Sequence, residues 1–202
     1  MPATPKHLPA NERRAVTVEA VLDLSATKNP SDITTADIAR HMKLTQGAIF
    51  RHFPNKEAIW QAVMEWVSER LLSRIDKAAN HAQSPMEALE AIFVTHAEFV
   101  AAHPGVPRML FGELQRSEDS MPKRLARTLI EKYSKRLVLL IEEGKSLGHI
   151  DPNIETATAA SLFIGAIQGM VMQSLLTSNT DQMPGKVPEI FAIYRRAIEK
   201  RL

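Results

Sequence analysis

The stretch 34–56, TTADIARHMKLTQGAIFRHFPNK, decides the fold. Thr34 is placed to cap a helix whose N3 position is Asp37, the pattern of a capping box. Ile38, Ala39 and Met42 follow at helical spacing, which predicts a short helix ending near His41 or Met42. Lys43-Leu44 breaks that pattern. Thr45 can cap a second short helix carrying Ile49, Phe50 and Phe53; Pro54-Asn55 ends it, and Asn55 can cap a third. Two short helices across a tight turn make a helix-turn-helix, whose second helix enters the major groove of DNA.

The side chains of that second helix suit the task. It offers Thr45, Gln46, Gly47, Ala48, Phe50, Arg51 and His52, with Lys56 just beyond. Gln46 can pair bidentately with adenine and Arg51 with guanine, while Ala48 and Phe50 can meet a thymine methyl. Thr34, Thr35, His52 and Lys56 have donors suited to phosphates.

Thr34, Ile38-Ala39, Leu44-Thr45, Gly47, Phe50, His52-Phe53, Lys56 and Ile59 carry a resemblance. In type and order they resemble the amino-terminal signature of the tetracycline-repressor (TetR) family of bacterial transcriptional regulators. The resemblance covers about the first third of the chain; beyond Trp66 only helical character and length are similar. Two positions depart from the family's pattern. Lys43 stands where the family has its turn glycine, and Phe50 where it has tyrosine, which removes a hydroxyl that could reach phosphate. A glycine at that turn suggests a left-handed backbone, so Lys43 is expected there at a cost of roughly 1 kcal/mol.

Composition sets bounds around this. The 202 residues suffice for one large domain or a small domain on a larger one, and 45% hydrophobic residues supply a core. The net charge of +2 would not by itself suggest nucleic acid, although residues 1–56 carry +3 and the remainder −1. The absence of cysteine excludes disulfides and thiolate chemistry and fits a reducing cytoplasm. The start, MPATPKHLPANERR, lacks the apolar core of a signal peptide. No glycine-rich phosphate loop, Ser/His/Asp arrangement or His-Glu-x-x-His motif appears, so no enzyme, metal or cofactor is expected.

Going outward toward the amino terminus, residues 1–10 read as an arm in which Lys6 and His7 could approach DNA. Arg13 and Arg14 are assigned to the DNA backbone, since cations in a first helical turn oppose the helix dipole. The first helix should run from about Asn11 to Thr27, with Ala15, Val18, Val21, Leu22 and Ser25 facing the helix-turn-helix. Downstream, helices are expected from Asn55 to about His81, Ser84-Pro85 to His103, Pro104 to Leu114, Pro122 to Leu147, Asp151-Pro152-Asn153 to Leu176, and Val187 or Pro188 to Leu202. Thr177–Lys186 reads as a polar loop. The expectation is an all-α chain of about nine helices, with a DNA-binding domain at 1–54 and an effector-binding and dimerisation domain at 55–202.

Residues 156–180 contain no charge, yet Thr156, Thr158, Ser161, Gln168, Gln173 and Ser174 interrupt what would otherwise approach a membrane span. A helix apolar on most sides is buried on two. The second side is expected to face another copy of the chain, through Gly165, Ala166, Gly169 and Gln173 with Ile190, Phe191, Tyr194 and Ile198 of the last helix. The family resemblance implies the same, a four-helix dimer interface. It also implies an effector pocket among the middle helices, where Phe93, His96, Phe99, Met109, Phe111, Leu125, Phe163, Ile167, Gln168, Met170 and Met172 are the candidates. The expected partners are therefore a palindromic DNA operator, a small hydrophobic effector and a second copy of the chain, with no membrane. The function expected is a ligand-responsive, nucleoid-associated regulator, most simply a repressor. The alternative is a ligand-independent architectural or division-linked DNA binder on the same scaffold.

Overall fold

Each reading helix starts and stops for a local reason. In the computed structural model, which describes residues 9–115 and 117–200, nine α-helices follow one another and no strand forms among the described residues. They are α1 (Ala10–Thr27), α2 (Thr35–His41), α3 (Gln46–Phe50), α4 (Lys56–Asn80), α5 (Pro85–Ala102), α6 (Gly105–Leu114), α7 (Met121–Ser146), α8 (Thr156–Leu176) and α9 (Val187–Ile198). Thr34 caps α2 as a full capping box. Its hydroxyl accepts the Asp37 N–H at 3.1 Å, and the Asp37 carboxylate accepts the Thr34 N–H at 2.9 Å. Asn55 caps α4 through its side-chain oxygen, 2.8 Å from the Ala58 nitrogen. Thr45 holds the cap position of α3, but its hydroxyl makes no cap bond.

Lys43 is left-handed, at φ 55°. The turn between α2 and α3 thus keeps the backbone a glycine would favour, with a side chain that pays a steric cost. Lys43→Gly is expected to raise the melting temperature, with a gain below ~1 kcal/mol because glycine also adds unfolded-state entropy. Scanning calorimetry checks this, and a lowered melting temperature would mean that the lysine stem packs better than its backbone strain costs.

The helices divide into two compact units, the described parts of Met1–Glu69 with His103–Arg127, and Arg70–Ala102 with Thr128–Leu202. In the first, Val18, Val21, Leu22, Ile33, Ile38, Ile49, Phe53, Ile59 and Val63 form the core. Ala15, expected on the inner face of α1, is exposed, and Arg13 is buried instead. The DNA-backbone assignment of Arg13 is therefore corrected. Arg14 lies 3.6 Å from the Glu65 carboxylate and 5.1 Å over the Phe53 ring. Lys6 and His7 lie outside the described residues. A further helix joins this unit: α6 seats on α1 at Gly105, where a Cβ would come within 2.3 Å of the Leu22 carbonyl oxygen.

The second unit is built on aromatic rings. Phe163 of α8 meets Phe93 of α5 at 5.1 Å and Tyr194 of α9 at 5.3 Å, edge-on, the arrangement ring quadrupoles favour. Two boundaries differ from the sequence expectation. Ile150 pairs with Glu199 in a short antiparallel bridge, so Asp151-Pro152-Asn153 forms a turn, and α8 starts later under the Glu155 carboxylate, which accepts the Ala157 N–H. The presumed loop after α8 contains a 3₁₀ helix, Thr180–Lys186, anchored by buried Met183. By length and composition α8 could cross a membrane, but its Phe163, Ile167, Met170 and Val171 face is packed inside the unit.

Candidate nucleic-acid interface

Burial of Ile38, Ala39, Ile49 and Phe53 turns the opposite sides of α2 and α3 outward. Thr34, Thr45, Gln46, Gly47, Phe50 and Arg51 are exposed together, and Thr35, Ala48, His52 and Lys56 are half-buried. Phe50 keeps 45% of its surface in solvent, an unusual state for a large apolar ring and a suitable one for meeting a thymine methyl. The Gln46 amide is held in place, its Nε2 donating to the Thr35 hydroxyl at 2.6 Å. Its Oε1 and second N–H stay available, the pair that bidentate adenine readout needs.

The cations of this unit fall into two groups. Asp37 collects Lys28 at 2.7 Å and Arg40 at 3.3 Å, and His41 lies 3.5 Å from Asp23. Hydrogen bonding from the Lys28 ammonium, then from the Thr34 N–H, holds the Asp37 carboxyl well below the usual carboxylate range. Arg51, by contrast, is exposed and makes no ion pair among the described residues. The Lys56 ammonium is occupied internally. It donates to the Ser31 carbonyl at 3.0 Å and the Pro30 carbonyl at 3.4 Å, and lies 4.8 Å over the Trp60 ring. Nothing local in the sequence signals that contact.

The candidate dimer residues separate by side of the helix. Gly165 and Gln173 are exposed and Ala166, Gly169 and Ile190 half-buried, with nothing near a Cβ added at Gly165 or Gly169. Phe191, Tyr194 and Ile198 instead face their own core, with the Tyr194 hydroxyl donating to the Ala159 carbonyl. Their place on the outer face is corrected. The apolar residues that do face outward are Leu162, Met172 and Leu176 on α8 and Ile193 on α9. The spacing 162, 165, 169, 172, 176 is the signal in the sequence for that outward face.

The pocket candidates do not share one lining. Phe93, Phe99, Phe163, Ile167 and Met170 are buried in the second unit, and Phe93 and Phe163 belong to its ring cluster. Gln168 and Met172 are exposed, turned away from that core, so their assignment to a pocket is corrected. Met109, Phe111 and Leu125 belong to the first unit. There Met109 borders an open cleft of about 580 Å³ lined also by Pro30, Lys56, Trp60, Gly112 and Glu113. His96 is the polar group of the second unit's ring cluster, its Nδ1 3.2 Å from the Tyr133 hydroxyl. Burial lowers the His96 pKa to about 4, so the imidazole is neutral at physiological pH, and burial raises that of Tyr133. Among the described residues no three His, Asp or Glu side chains come together as metal ligands would.

Residues 17–63 match the model of the bacterial regulatory proteins of the tetR family. The chain is 27% identical over 187 residues to the nucleoid occlusion factor SlmA of Alteromonas mediterranea, covering 90% of this chain and 93% of that protein. Its fold is that of the fatty acid degradation regulator FadR from Bacillus halodurans, with TM-score 0.82, 19% identity, and 94% and 96% of the two chains covered. FadR from Bacillus subtilis, solved in complex with stearoyl-CoA, gives TM-score 0.79 at 16% identity over 89% of this chain and 96% of that one.

Proposed function

We propose that the chain is a DNA-binding regulator of the tetR family, whose model matches residues 17–63, and that it works as a homodimer gripping a palindromic operator. The observation that carries this reading is the joint exposure of Gln46, Phe50 and Arg51 on a helix held from behind by Ile49 and Phe53. Each copy places α3 in one major groove, with half-sites about 34–36 Å apart or a multiple of that. Thr34, Thr35 and Thr45 supply phosphate contacts around it. Residues 1–54 do the reading, residues 55–202 bring the two copies together, and the protein works on the nucleoid in the cytoplasm.

Control comes from a hydrophobic small molecule in the second unit. The His96–Tyr133 pair supports this reading, because it sets a hydrogen-bonding couple beside Phe163 in an otherwise apolar interior. A neutral imidazole there can donate or accept, which suits an apolar molecule with one polar end. The effector must favour the non-DNA conformation, and a tenfold loss of operator affinity requires ~1.4 kcal/mol of coupling. Helices α4 and α7 each begin in the first unit and end in the second, and they give the signal a covalent route.

A second reading, a ligand-independent and division-linked DNA binder, is favoured by the SlmA relative matching along 90% of the chain. The two readings part in one experiment. Apolar compounds that raise the melting temperature are tested for operator release by fluorescence anisotropy. Control by an effector predicts at least one stabilising compound that releases DNA, and that His96→Leu weakens its action. A broad set of stabilising compounds, none of which releases DNA, favours the second reading.

A further inference from the structure

We propose that Lys56 is a positioning residue for DNA reading, whose ammonium holds the Pro30–Ser31 turn against the start of α4 instead of neutralising a phosphate. The inference rests on the DNA-binding reading above and concerns how that surface is built. Lys56 is the first residue of α4, and its Nζ donates to the carbonyls of Ser31 at 3.0 Å and Pro30 at 3.4 Å. The same ammonium lies 4.8 Å from the Trp60 ring, one turn further along the helix. An ammonium has three donors and no acceptor. Here two of the donors are directed at turn carbonyls and the charge lies over the face of a buried ring, so the ammonium is held on the protein side.

What it holds in place is the approach to the reading surface. Pro30 is buried, and the 3₁₀ turn Pro30–Asp32 leads directly into Ile33, also buried, and the Thr34 cap of α2. Thr35 follows, and its hydroxyl accepts the Gln46 amide at 2.6 Å. Across the same turn Lys28, just after α1, is bound to Asp37 of α2 at 2.7 Å. Two lysine ammoniums therefore fix this connection, one between α1 and α2 and one between the turn and α4. The α4 tie leads through consecutive residues to the hydroxyl that aims Gln46. Releasing it would let the turn drift and blur the register of α2 and of the Gln46 amide on the bases, without removing a charge that touches DNA.

The test uses the full-length protein and an operator duplex selected from random DNA, with affinity measured across a series of salt concentrations. A phosphate contact shows in the slope of log K against log salt, about 0.9 per neutralised phosphate. Lys56→Met is expected to weaken binding about tenfold at each concentration while its line stays parallel to wild type. Lys56→Gln, which keeps a neutral donor for one turn carbonyl, should recover much of that loss with the slope again unchanged. Such recovery is not available to a residue that acts through its charge. A slope lower by about 0.9 per half-site in both variants overturns the proposal in favour of a phosphate contact. Undiminished affinity with a lowered melting temperature overturns it in favour of a purely structural role. Should Lys56→Met not fold, Lys56→Gln carries the same comparison against wild type. Failure of the wild-type protein to select any duplex is a different result, and it removes the DNA-binding reading itself.

Discussion

Leu162→Glu combined with Ile193→Glu is expected to yield a folded monomer whose operator affinity falls by about 10²–10⁴-fold. The side chains leave 53% and 61% of their surfaces in solvent, and Leu176, further along α8, leaves 78%. With Gly165 and Gly169 open between them, they make an apolar face on two neighbouring helices, with small residues that allow close approach. A symmetric pair buries the same patch from both copies, so each substitution acts twice and sets carboxylates in an apolar seam with no partner. Because both positions are exposed in the single chain, its own stability should change by no more than about 0.5 kcal/mol. The loss of affinity follows from linkage. In a dimer the second half-site is bound at high effective concentration, and a monomer forfeits that advantage. Sedimentation at micromolar concentration checks the first half and anisotropy the second. A wild-type monomer, or a variant that remains dimeric, contradicts the interface.

Arg51→Ala and Gln46→Ala should each cost ~1–3 kcal/mol per half-site and relax base preference at one operator position. The Arg51 fork is exposed with no ion pair among the described residues, so it enters the groove without first breaking a contact. Gln46 arrives already oriented by Thr35, which reduces the rotamer entropy lost on binding. Thr35→Val should therefore reproduce part of the Gln46→Ala loss at the same position. Measurement against a panel of single base-pair substitutions separates these effects, and losses spread evenly over all positions would show that neither residue reads a base.

The reading head was legible because its signals are local. The capping box spans Thr34 to Asp37, the core positions Ile38, Ile49 and Phe53 follow helical spacing, and the positive φ of Lys43 lies where the resemblance placed a turn glycine. The errors came where tertiary contacts decide. Arg13 looked like a surface cation because it opposes the helix dipole, but packing buries it. The Lys56 contacts to Pro30 and Ser31 have no signal in its sequence neighbours, because those two residues lie in a distant turn. On α8 no charge marks a side, so Gln168 reads as an inward polar group, whereas it lies with Ser161 and Leu162 on the exposed side. Asp151-Pro152 carries a helix-start signal, and the bridge between Ile150 and Glu199 overrides it.

Two copies of the α3 surface that read a symmetric DNA site should impose that symmetry on the sequences they bind. Selection of bound duplexes from a random pool by the wild-type protein measures this. The expected result is enrichment of a palindrome with half-sites one helical turn or a multiple apart. When the selection is repeated with Arg51→Ala, one base position in each half-site should lose its preference while the spacing stays the same. A pool without enrichment, or an enriched site unchanged by Arg51→Ala, would contradict it.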